Sequence, residues 1–133
     1  MHNLVITLAL CAGLGACGKG GGTGGTAASG RDAVVAGWNK AGLTVSAMTP
    51  DKSGAIGPDC TTGTVSGVDV ALCVFAKPED ATAAKPKGLV WGIGATTGLS
   101  LAQANLVLAI ADRRAADPSG RTINTIAKTF RGR

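Results

Sequence analysis

The sequence has one histidine, His2, one glutamate, Glu79, no tyrosine and only two phenylalanines. Imidazole activates most serine and cysteine nucleophiles and binds most catalytic zinc ions, so a chain with so little of it has few routes to that chemistry. The shortage of aromatic side chains leaves few platforms on which nucleic-acid bases could stack. We therefore expect no catalytic residue, no metal, no cofactor and no nucleic-acid partner.

The remaining candidates for acid–base or hydrolytic chemistry have simpler interpretations. Glu79 and Asp80 lie at a predicted helix start, where carboxylates complement the helix dipole. Lys52 and Ser53 are adjacent, but adjacency does not place the amine on the hydroxyl, and an S-x-x-K motif is absent. A hydrolase that uses Ser53 or cysteine chemistry is the third of three functional hypotheses.

Long apolar runs are also missing, and the clearest short one lies at the N-terminus. Leu4 to Leu14 is eleven residues without a charge, the size of the apolar core of a signal peptide, whereas a membrane-spanning helix needs about 20. It ends in Leu14-Gly15-Ala16-Cys17, which resembles the lipobox of bacterial lipoproteins. That resemblance implies cleavage before Cys17 and acylation of its thiol; Cys11 is the weaker candidate, because Leu10 before it is too large for the cleavage site.

Composition divides the chain into three parts. Residues 1–16 are the predicted signal peptide, and residues 17–30 are the predicted lipidated cysteine and tether. Gly18 to Gly30 contains seven glycines in thirteen residues and no large apolar side chain, which is typical of a flexible linker. Residues 31–133 then form one predicted domain, long enough for one hydrophobic core.

Cys60 and Cys73 are the two cysteines of the predicted domain. Two thiols in an exported protein favour one disulfide, with two free thiols as the alternative. If Ser66-Gly67 is a two-residue hairpin turn, Cys60 lies directly opposite Cys73 in a non-hydrogen-bonded pair. The Cα atoms of such a pair lie about 4.5 Å apart, within the range that a disulfide needs.

The rest of the domain predicts an α+β fold: a small antiparallel sheet of about five strands with N-terminal, short middle and C-terminal helices. A capping pattern at Ser29 to Asp32 predicts the start of the first helix. The final helix carries an apolar stripe at Ile123, Ile126, Ala127 and Phe130. The other predicted elements are a strand at 43–48 ended by Thr49-Pro50, a hairpin at 60–76, a short helix at 77–84 ended by Pro86 and Gly88, a strand at 89–94, and a hairpin of 96–102 with 106–111.

The net charge of +5 is concentrated near the C-terminus. Six basic residues there could contact an anionic surface, although a solvated helix face is the simpler interpretation. They are Arg113, Arg114, Arg121, Lys128, Arg131 and Arg133. A polyanion-binding module that uses this surface is therefore our second functional hypothesis.

The run from Val34 to the C-terminus resembles small uncharacterised lipoproteins of Gram-negative bacteria. The resemblance depends on AGWNKAGL, the Cys60/Cys73 hairpin, NLVLAIADRR and DPSGRTINTIAKTF. It implies a protein held in the cell envelope by its lipid anchor, and Gly18 in place of a retaining aspartate favours the outer membrane. Our leading hypothesis is a non-catalytic module that binds or supports another envelope protein or glycan; the oligomeric state is not predicted.

Replacing Cys17 tests the anchor. Two or three acyl chains hold a protein stably on a membrane, whereas one chain is marginal. We expect Cys17→Ser to release the protein from the membrane fraction or to leave the signal peptide uncut. Fractionation and intact-mass measurement check this, and an unchanged distribution and mass would contradict it.

Overall fold

The computed structural model describes residues 26–132, and the fold in this range is α+β, as predicted. Five strands form one antiparallel sheet in the order β1-β2-β3-β5-β4. The elements are α1 (Thr26–Lys40), β1 (Thr49–Asp51), β2 (Cys60–Val65), β3 (Val68–Val74), α2 (Pro78–Trp91), β4 (Thr97–Gln103), β5 (Leu106–Asp112) and α3 (Arg121–Arg131). In this part of the chain, no helix is both long and apolar enough to cross a membrane.

The two faces of the sheet bury different side chains, because successive residues of a strand point to opposite sides. One face is rich in large aliphatic residues such as Val70, Leu72 and Leu108, and it packs against α1 and α3. The other face carries smaller side chains, such as Ala71 and Ala109, and it packs against α2. The molecule therefore has three layers, with two helices below the sheet and one above it.

The β2–β3 hairpin has the predicted register. Val65 pairs with Val68 around the Ser66-Gly67 turn, in which both central residues have positive φ (48° and 85°), as a tight hairpin turn requires. Cys60 pairs with Cys73, their Cα atoms lie 4.0 Å apart, and the two sulfurs are bonded. The disulfide prediction is therefore confirmed, and the alternative of two free thiols is wrong.

The second predicted hairpin is also present, as β4 and β5. Its turn is Ala104-Asn105, and the residue in the left-handed region is Ala104 (φ 51°) rather than Asn105, which we expected on propensity. Asn105 instead fixes the turn through its side chain, whose Nδ2 donates to the carbonyl of Phe75 at 2.8 Å. β5 lies between β3 and β4, which explains why both of its faces are apolar.

Two expected boundaries near the N-terminus are wrong. Helix α1 begins at Thr26, three residues before the predicted cap at Ser29. The predicted strand at 43–48 contributes only a bridge between Val45 and Val65, and the edge strand β1 follows it at Thr49–Asp51. Pro50, which we expected to end a strand, is tolerated inside β1 because an edge strand does not need every N–H for pairing.

The predicted middle helix is present, but its expected end before Pro86 and the expected strand at 89–94 are wrong. Helix α2 runs from Pro78 to Trp91 and includes both Pro86 and Gly88. Its buried positions, Ala81, Ala84 and Gly88, form a stripe of small residues that brings the helix close to the sheet. Tertiary packing along this stripe overrides the weak helix propensity of proline and glycine.

Helix α3 is held in the core by its apolar stripe, as predicted. Phe130 and Ile126 are fully buried, and Ile123 and Ala127 are nearly so. The indole Nε1 of Trp38 on α1 donates to the carbonyl of Ile126 at 3.1 Å, so a buried hydrogen bond joins the two helices. This hydrogen bond holds α1 and α3 together as the helical layer beneath the sheet.

The sheet has two distinct ends. The near end holds the Val74/Leu106 pair, and α1 enters there, since a side chain at Gly30 would contact Leu106. The far end holds the Asp69/Ala111 pair, and α2 finishes there, where Gly92 lies against Ala111. The chain that precedes residue 26 therefore joins the domain at the near end.

Truncation of Phe130 tests the docking of α3. Because the side chain is fully buried, we expect Phe130→Ala to lower the free energy of unfolding by about 3–5 kcal/mol. Lys128→Ala on the exposed face of the same helix is the matched control, and it should change stability little. Denaturant titration measures both variants; a loss well under about 1 kcal/mol for Phe130→Ala would show that α3 is not docked.

Candidate binding surface

Three large apolar side chains at the end of α2 face solvent. Leu89, Val90 and Ile93 are 54%, 64% and 74% exposed, and we call them the distal patch because they lie at the far end of the sheet. Solitary exposed apolar residues are ordinary, whereas a contiguous group is typical of an interaction surface. From Ala81 to Ala111 the sequence has no acidic residue, and its only charged residues are Lys85 and Lys87. The distal patch therefore lies in a segment with few charges.

A polar hollow of about 410 Å³ lies next to the distal patch. Helix α2 packs over β4 and β5, and the hollow lies on the same side of the sheet where α2 does not cover Thr49 of β1 and Thr62 and Thr64 of β2. We call it the threonine groove; its principal lining residues are Thr49, Thr62, Thr64, Asp69, Trp91 and Arg113.

The threonine hydroxyls share one side of the sheet because of the strand register. Thr62 pairs with Thr49 on one neighbouring strand and with Ala71 on the other, and Thr64 pairs with Asp69. Since Ala71 faces α2, the paired side chains lie on that side as well. Because side chains alternate along β2, Thr62 and Thr64 lie on the same side of the sheet and form the floor of the groove.

Asp69 lies in one wall of the groove and pairs with two arginine side chains. Its Oδ2 accepts from Nη1 of Arg113 at 3.0 Å, and its Oδ1 accepts from Nη1 of Arg114 at 2.8 Å. Arg113 also donates to the carbonyl of Trp91, and its guanidinium lies 4.3 Å from the centroid of that indole ring. These charge-assisted contacts hold Trp91 and Arg113 together at the end of α2.

The six basic residues predicted for an anionic surface are thus divided. Arg113 and Arg114 contact Asp69, whereas Arg121, Lys128 and Arg131 are exposed along α3. Helix α3 follows β5 and begins at the far end of the sheet. Its last residue, Arg131, lies at the near end, where the Arg131 carbonyl accepts a hydrogen bond from the side chain of Gln103. Arg133, like Cys17, lies outside the described residues.

A pair of buried carboxylates sets the position of α3. Asp112 accepts from the backbone N–H groups of Ala116 and Asp117 at 2.8 and 2.9 Å, which fixes the loop after β5. Asp117 then accepts from the N–H of Ile123 at 2.8 Å, in the first turn of α3. This contact satisfies one of the backbone N–H groups that the first turn of a helix leaves unpaired.

Hydrogen bonding also determines the charge state of Asp117. Burial alone raises the pKa of this carboxyl, but the backbone N–H groups of Ile123, Thr122 and Gly120 and the hydroxyl of Ser119 favour the ionised form. Their combined effect lowers the pKa of Asp117 below its ordinary value of 3.8. The carboxylate therefore stays negative at the N-terminus of α3, where the helix dipole favours it.

The residues considered for hydrolysis are not assembled around a base. The hydroxyl of Ser53 accepts from the N–H of Ala55, and the N–H of Ser53 bonds to Asp51, as in an ordinary polar turn. Cys60 and Cys73 are consumed by the disulfide. Within residues 26–132, no group of histidine, cysteine or carboxylate side chains is arranged to hold a metal ion.

The distal patch was missed at the sequence level because 89–94 was interpreted as a strand. The positions Pro86, Leu89, Val90 and Ile93 have helical spacing, and this was the signal that could have found an apolar stripe. The threonine groove had no comparable signal, since it depends on which part of the sheet α2 leaves uncovered. Comparison of the chain with family models, curated proteins and solved structures gave no match.

The Asp117 contact gives a pH-dependent prediction. The pKa of Asp117 is lower in the folded protein than in the unfolded chain. The ionised carboxylate therefore contributes fully to the free energy of unfolding above about pH 3.8, and this contribution is lost as the pH falls through the folded pKa. We expect Asp117→Asn to lower the free energy of unfolding by about 1 kcal/mol at pH 7. Denaturant titrations from pH 7 to pH 2.5 should show the two proteins converging at the acidic end, and a constant difference would contradict the capping role of the charge.

Proposed function

We propose that this protein is a non-catalytic, lipid-anchored component of the bacterial cell envelope that binds another envelope protein through the distal patch. The observation that carries the proposal is the exposure of Leu89, Val90 and Ile93 together at one end of α2. Burying three such side chains against a partner supplies a favourable free energy of association. The lipobox-like segment at Cys17 supplies the envelope location.

The position of the patch leaves it accessible to a protein partner. Cys17 and Thr26 are nine residues apart, so a lipid at Cys17 would hold the near end of the domain within about 30 Å of the membrane. The distal patch lies at the other end of α2, and this fourteen-residue helix is about 21 Å long. A tether of this length lets the domain turn so that the patch points away from the lipid, where another protein can reach it.

A polyanion-binding surface on α3 is the second candidate. In the described chain, Arg121, Lys128 and Arg131 form no ion pair, and Arg121 and Lys128 line a hollow of about 440 Å³ with Asn124 and Thr125. Unpaired cations on one helix face would attract a polyanion, and that attraction would weaken steeply as salt rises. Binding through the distal patch would depend much less on salt.

Site-specific photo-crosslinking in living cells tests the partner. A photo-reactive amino acid at Leu89 should capture one protein species, identified by mass spectrometry, whereas the same group at Thr125 on α3 should not capture it. Val90→Ser and Ile93→Ser should together abolish the capture, because they remove apolar area from the interface. Both side chains are more than half exposed, so the substitutions leave the core intact.

Three results would contradict the proposal. A lipid adduct at position 89 would mean that the patch lies on the membrane. A crosslink to a second copy of the chain would mean that the patch is a homodimer contact. Capture of the same protein from position 125 alone would move the interface to α3 and favour the second candidate.

A further inference from the structure

The threonine groove offers polar atoms that the protein itself does not use. Across the described residues, no protein group is hydrogen-bonded to the side-chain hydroxyls of Thr62 and Thr64, although other hydroxyls, such as those of Ser100 and Thr125, have backbone partners. A hydroxyl both donates and accepts hydrogen bonds. The groove floor is therefore open to a ligand with similar groups.

The charges around the groove argue against an ionic ligand. Asp51 and Asp69 line it together with a single cation, Arg113, so an anion would meet two carboxylates. Arg113 already donates to Asp69 and to the carbonyl of Trp91, and Arg114 donates to Asp69 and to the carbonyl of Gly67. A cation would in turn meet the guanidinium of Arg113, and Asp69 is already paired with both Arg113 and Arg114.

We propose that the threonine groove binds an uncharged oligosaccharide. Such a ligand presents many hydroxyls, which can pair with Thr62 and Thr64, and it brings no net charge to the mixed wall of Asp69 and Arg113. Trp91 adds an apolar surface beside these polar groups. The volume of about 410 Å³ lies within the roughly 300–1,000 Å³ that is common for small-ligand sites.

This site is separate from the surface proposed for the partner protein. The distal patch is apolar and lies on the outer side of α2, whereas the groove is polar and lies on the sheet. Substitution of Ile93 should therefore leave sugar binding unchanged. If sugar binding in the groove is disproved, the proposal of a protein partner at the distal patch is unaffected, and the reverse also holds.

Heteronuclear NMR titration of the full chain in neutral detergent tests the site, with chitotetraose as the uncharged probe and a hyaluronan tetrasaccharide as the anionic one. We expect chitotetraose to shift the amide signals of Thr62 and Thr64 and the indole signal of Trp91. Replacing both threonines, as Thr62→Val with Thr64→Val, should weaken binding about tenfold, because two hydrogen bonds are lost. Valine keeps the shape and the strand propensity of threonine.

Thr97→Val is the matched control, because Thr97 is an exposed strand residue outside the groove and should leave the affinity unchanged. The proposal is overturned if chitotetraose causes no shifts at millimolar concentration, or if the double variant binds it as well as the native chain does. Tighter binding of the hyaluronan tetrasaccharide, lost on raising the salt, would also overturn it, since the groove would then select charge.

Discussion

The close approach of α2 to the sheet is the constraint on which both candidate surfaces depend. A side chain at Gly88 would collide with Ser100, so only glycine allows the helix to lie this close. The hydroxyl of Ser100 donates to the carbonyl of Lys85 at 2.7 Å, next to Pro86, and this bond ties the helix to β4. With α2 held over β4 and β5, its outer residues face solvent, and the groove floor at Thr62 and Thr64 of β2 stays uncovered.

The same constraint explains how Pro86 is accommodated in the helix. Proline inside a helix removes one backbone hydrogen bond and favours a break. Here the helix is already held by burial of Ala81 and Ala84 on one side of the proline and of Gly88 on the other. The packing on both sides offsets the lost bond, and the chain continues as helix to Trp91.

The parts of the fold that could be predicted are those with a strong local signal. The Ser66-Gly67 turn determines the register of β2 and β3 and therefore the Cys60–Cys73 pair, because side chains alternate strictly along paired strands. The stripe at Ile123 and Phe130 likewise identifies the buried face of α3. In both cases residues close in sequence determine the geometry.

The candidate surfaces were harder to predict because their exposure depends on contacts between distant residues. Arg113 and Arg114 appear in sequence as part of a basic C-terminal region, yet they contact Asp69, 44 and 45 residues away. That pairing joins both side chains to Asp69 and makes Arg113 part of the wall of the groove. Leu89 and Val90 resemble a buried strand in sequence, and only the continuation of α2 through Pro86 turns them outward. The exposed apolar area at the end of α2 therefore follows from how this helix packs rather than from any motif.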